Sequence, residues 1–67
     1  MGTSLAMLRA TYQQAHDDRG LGGNARMIDD GTGLVGFFNL RSAVWEWFRW
    51  DTKAHQYVLS GTTDFAL

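Results

Sequence analysis

The stretch Ala43-Val44-Trp45-Glu46-Trp47-Phe48-Arg49-Trp50 most narrows the folds open to this chain. β-Branched and aromatic side chains suit a pleated, partly buried strand. Asp51-Thr52-Lys53-Ala54 follows as a turn, and His55-Gln56-Tyr57-Val58-Leu59 as the returning strand. A helix from Leu40 to Trp50 competes, because Leu40, Val44, Trp47 and Phe48 also fall at helical spacing. Propensity and the turn–strand pattern together favour the hairpin.

A turn centred on Thr52-Lys53 sets Trp50 opposite His55, Arg49 opposite Gln56, Phe48 opposite Tyr57 and Trp47 opposite Val58. Side chains alternate between the two faces of a sheet. One face then carries Val44, Glu46, Phe48, Trp50, His55, Tyr57 and Leu59; the other carries Ala43, Trp45, Trp47, Arg49, Gln56, Val58 and Ser60. The first is the better core, with Glu46 its awkward member. On the second, large aromatics sit beside polar groups, the mixture found in protein interfaces. Trp45, Trp47, Arg49, Gln56 and Val58 are therefore the candidate partner-binding residues.

What covers the first face is legible near the start of the chain. Thr3 or Ser4 can cap a helix by accepting from its free N–H groups. Leu5, Leu8, Tyr12 and Ala15 then form an apolar stripe, with Gln13, Gln14, Asp17 and Asp18 off it. Gly20, Gly22 and Gly23 end the helix near Asp18 and open a flexible connection to Asn24. Arg26-Met27-Ile28 reads as a short strand and Leu34 to Phe38 as its partner. Asp29-Asp30-Gly31-Thr32-Gly33 turns between them, since Asp-Gly takes positive φ readily. Asn39 to Ser42 connects onward, and Thr62 to Leu67 forms a tail that extends the last strand or frays.

These elements predict one domain over residues 1–67: an α+β fold with an N-terminal helix packed on a small antiparallel sheet of three to four strands in two hairpins. Sixty-seven residues leave room for one domain, about one layer of helix on one of sheet. There is no cysteine, which excludes disulfides and thiolate zinc sites and fits a cytoplasmic setting. The first residues do not resemble a signal peptide, and no apolar run approaches the ~20 residues of a membrane span. Six basic and seven acidic residues give a net charge of −1, which is not the basic footprint of a nucleic-acid binder.

Candidate chemistry is sparse. His16, Asp17 and Asp18 are adjacent on a helix, point in different directions and read as a solvated polar end. His55 beside Asp51 or Glu46 lacks the further groups of a proton-transfer set. The Asp29–Gly33 segment lacks the alternating ligands and closing glutamate of a calcium loop. Gly20-Leu21-Gly22-Gly23 lacks the lysine and preceding strand of a phosphate loop. No metal, cofactor or enzymatic activity is expected. The expected function is that of a stand-alone protein-interaction module, a regulator, inhibitor or adaptor of the kind small phage or mobile-element proteins supply. A homodimer burying Trp45 and Trp47 about a two-fold axis is expected. Single-stranded nucleic-acid binding on the same aromatics, or a structural role in a homo-oligomeric assembly, are the alternatives.

Overall fold

The computed structural model describes residues 2–65. Helix α1, Leu5–Asp18, starts at Ser4, whose Oγ accepts from the Met7 N–H at 3.1 Å. It ends where Gly20, at φ 73°, returns its N–H to the Asp17 carbonyl at 2.9 Å. A positive φ costs glycine nothing, which is why the helix stops there. The glycine-rich connection beyond it is tied down by Gln13. Its Nε2 donates to the Gly23 carbonyl and its Oε1 accepts from the Ala25 N–H.

Four strands follow: β1 Met27–Asp29, β2 Leu34–Asn39, β3 Val44–Asp51 and β4 Gln56–Thr63. They form one antiparallel sheet in the order β1-β2-β3-β4, so every strand pairs with its neighbours in sequence. The α+β architecture is as expected, with a helix on a small antiparallel sheet. The aromatic run is strand, not helix. The tail extends β4 through Thr63, and its last two residues lie outside those described.

Register differs from expectation at the last hairpin. Asp51 pairs with Gln56, Trp50 with Tyr57, Arg49 with Val58 and Phe48 with Leu59. The loop is therefore the four residues Thr52–His55, not a two-residue turn on Thr52-Lys53. A two-residue hairpin turn needs positive φ at its centre, which neither Thr nor Lys favours. The longer loop places that strain on His55, at φ 53°. A β-bulge follows: Trp47 pairs with Gly61, and Ser60 is left over. The slip of two residues preserves which side chains share a face up to Leu59.

The β2–β3 hairpin is built the same way. Asn39 Oδ1 accepts from the Arg41 and Ser42 N–H groups, as Asp51 Oδ1 does from Lys53 and Ala54. Each loop then closes on a left-handed residue, Ala43 at φ 58° in one and His55 in the other.

α1 lies chiefly on β2. Leu8, Val35 and Phe37 are buried together, with Leu5, Tyr12, Met27, Phe48 and Tyr57 packed around them. Tyr12 stacks on Phe37 at 4.7 Å between ring centroids and meets Phe48 edge-on at 6.2 Å. Two expectations need correction here. Leu59 does not join this core but is 57% exposed, although Tyr57 of the same strand packs against it. The helix stripe continues through His16, which is buried, and leaves Ala15 exposed. Four residues carry a helix slightly past a full turn, and from Leu8 through Tyr12 that step lands on His16.

Removing Leu8 from this core should be costly. Leu8→Ala should lower stability by about 2–5 kcal/mol, read by denaturant unfolding; an unchanged midpoint would show that α1 is not docked. Ala43→Gly should raise stability by about 0.5–1 kcal/mol, since it relieves the left-handed strain at a small cost in unfolded-state entropy. A lower melting temperature for that variant would contradict the loop geometry.

Candidate functional site

The alternation of β3 sends Trp45 and Trp47 to the face opposite α1. There they meet Gly36 and Phe38 of β2, since Gly36 pairs with Trp47 and Phe38 with Trp45. With no side chain of its own, Gly36 lets the Trp47 indole lie flat on the sheet. A methyl group there would stand 2.6 Å from Cζ3 of that ring. Trp45 stacks beside Trp47 at 6.0 Å, and Phe38 meets Trp45 edge-on at 5.7 Å. The Arg26 guanidinium lies over both, 4.9 Å from the Phe38 ring and 5.3 Å from the Trp45 ring. Trp47 Nε1 donates to Thr63 Oγ1 at 2.8 Å, which ties the ring to the end of β4.

The two tryptophans are thus brought together on the face expected, but each is only 5% exposed. Neither offers an open ring on which a base or side chain can stack. They make a second, small core on the helix-free side. Arg49 and Val58, paired across the strands, are exposed beside them. Gln56 is half-buried and committed elsewhere, its Oε1 accepting from the Thr3 N–H at 3.2 Å.

The open apolar surface lies at the β3–β4 end of the sheet. Trp50 is 39% and Leu59 57% exposed on the helix side of the sheet, and Val58 38% exposed on the other. The reason is one of dimensions. A helix is about 10–12 Å wide, and strands stand about 4.8 Å apart. One helix centred on β2 therefore shields the outermost strand only in part, covering Tyr57 and leaving Leu59 open. The sequence held this signal, in apolar residues on strand four of a sheet with one helix to cover it. Alternation of faces alone places Trp50 and Leu59 in the core.

The polar residues fall into two groups. Glu46 faces the helix. Its Oε1 accepts from the Tyr12 hydroxyl and, at 3.1 Å, from Asn39 Nδ2. Partial burial, with the acidic neighbour second, pushes the Tyr12 hydroxyl well above its ordinary value of 10.0. His16 is not the solvated helix end expected. Its Nδ1 is buried without a hydrogen-bond partner, with Asp17 Oδ1 3.8 Å away. The second group is the Asp29–Gly33 segment, which is a turn. Asp29 and Asp30 accept from the N–H groups of Gly31 and Thr32, and Thr32 holds the Asp30 carboxyl below its ordinary value. Among the described residues no three His, Asp or Glu side chains gather as metal ligands, and no helix is long and apolar enough to cross a membrane. The chain matches no known family model, no curated protein and no solved structure.

Gly36→Ala should destabilise the fold by about 1–3 kcal/mol by lifting Trp47 off the sheet, and Trp47→Ala by about 3–5 kcal/mol. Denaturant midpoints and the environment of tryptophan fluorescence would read both. A Trp47→Ala protein as stable as the parent would show that the ring is not core.

The Tyr12 shift has a sign that can be checked. A hydroxyl whose folded pKa is raised contributes stability below about pH 10, the ordinary tyrosine value. That stability is lost as pH rises further, because the unfolded chain ionises first. Melting temperatures between about pH 8 and about pH 11 should therefore fall more steeply for the parent than for Tyr12→Phe. Parallel curves would contradict it.

Proposed function

We propose that this domain works by binding a protein partner, as a small regulator, inhibitor or adaptor. The observation that carries the reading is the uncovered β3–β4 end of the sheet. Exposed Trp50 stands beside an outer strand that carries exposed Val58 and Leu59, and all eight of its residues from Gln56 to Thr63 are uncharged. Natural edge strands are commonly guarded by charge or proline; β4 has neither, and its bulge and the Thr3 contact near its start interrupt it. There the Tyr57 N–H donates to the Thr3 carbonyl at 2.9 Å. Arg49 stands opposite Val58, and among the described residues no carboxylate lies within 4.0 Å of it. It is free to supply directed donors at the rim of a contact.

In this reading Trp45 and Trp47 stiffen the sheet, while the β4 edge makes the contact, with Trp50 and Leu59 on one side of it and Arg49 and Val58 on the other. Aromatic and arginine side chains are the types most enriched at interface hot spots. A second copy of the chain is one partner that such an uncharged strand tolerates, because a two-fold pairing would set no like charges against each other.

Leu59→Glu should abolish partner recovery in affinity purification from the native host while leaving the melting temperature nearly unchanged, because the residue is exposed. Met7→Glu, exposed at 54% on the helix, serves as the control and should retain it. Sedimentation of the same variants tells a second copy from a different protein. Recovery unaffected by Leu59→Glu, or lost equally with Met7→Glu, would sink the assignment of this surface.

A further inference from the structure

A cleft of about 490 Å³ opens between the C-terminal half of α1 and the β2–β3 hairpin, away from the surface just described. That volume lies in the range of small-molecule sites, about 300–1,000 Å³. Tyr12, Asn39, Glu46, Arg19 and Arg41 line it, as does Asp18, whose Oδ1 accepts from Gln14 Nε2. We propose that it binds a small zwitterion, an α-amino acid with an apolar side chain.

Glu46 supplies the anionic half of the site. Both of its protein donors, from Tyr12 and Asn39, converge on Oε1. Oε2 has no partner among the described residues. A carboxylate oriented by two neighbours and holding one free oxygen is suited to receive a primary ammonium. Asn39 fixes this geometry, because its own oxygen is held by the N–H groups of Arg41 and Ser42.

Arg19 and Arg41 supply the cationic half. Among the described residues neither has a carboxylate within 4.0 Å. A guanidinium fork matches a carboxylate with two parallel hydrogen bonds. Arg26 also borders the cleft, but its guanidinium is engaged over Phe38 and Trp45. Leu21, Leu40 and Ala15 add apolar wall for a side chain.

His16 also lines the cleft, but its Nδ1, buried without a hydrogen-bond partner, is closed to it. A singly charged molecule leaves either Glu46 or the arginines unanswered, whereas an amino acid answers both.

The test is a titration of the intact chain followed by two-dimensional amide NMR. The probes are L-leucine, 4-methylpentanoate, which lacks the ammonium, and isoamylamine, which lacks the carboxylate. L-Leucine should give saturable shifts at Tyr12, Asn39 and Arg41, with each single-charge probe at least about tenfold weaker. Arg41→Ala, at an exposed position that leaves the fold intact, should weaken L-leucine by about tenfold or more and leave isoamylamine unchanged. Absence of saturable shifts up to ~10 mM L-leucine would overturn the proposal. So would equal binding of all three probes, or an Arg41→Ala protein that binds L-leucine as the parent does.

Discussion

The meeting of Tyr12, Glu46 and Asn39 is the point on which the three parts of this fold depend. One residue comes from the helix, one from the middle of β3 and one from the end of β2. A carboxylate placed between helix and sheet would be costly if left alone. Here it is bonded on both sides, and the penalty becomes a requirement on geometry: the helix must cross the sheet where Tyr12 reaches Glu46. Apolar contacts between Leu8, Val35 and Phe37 supply burial without that direction. The same bonds leave the second carboxylate oxygen without a partner among the described residues. The feature that looked out of place on an apolar face thus orients the domain.

Most of the fold was legible because its signals are local. Ser4 at the cap, the glycines after Asp18, the Asp-Gly turn and the aromatic run each announce themselves within a few residues. The division of faces was legible too, since a two-residue slip leaves alternation intact. Register was not, because a four-residue loop with a left-handed histidine has no signature as plain as Asn-Gly. The bulge at Ser60 was invisible for the same reason, since it depends on pairing and not on residue type.

The candidate surface was only partly readable. Arg49 and Val58 were picked out and are exposed, while Trp45 and Trp47 were picked out for their chemistry and are buried. Their burial depends on Gly36, which lies some ten residues away in sequence and whose role emerges only from the pairing of β2 with β3. Residue type names what a side chain can do. Whether it is free to do it is decided by which neighbour leaves room, and that is a property of three dimensions. His16 is the same lesson in reverse, a polar residue hidden by the turn of the helix.

The order of the strands bears on how the chain finds its structure. Because each strand pairs only with its neighbour in sequence, the sheet can zip from β1 to β4 through short loop closures, the fast route for a β-rich chain. The N-terminal segment is different. Thr3 reaches Gln56 and Tyr57 across most of the chain, so among the hydrogen bonds of the described residues this contact closes the longest loop, at a high entropic cost of formation. The sheet can assemble before the first residues of the helix are in place, and the seam between Thr3 and β4 is where the folded molecule would begin to open. Opening there would free the Tyr57 N–H and lengthen the exposed edge of the strand proposed to meet a partner.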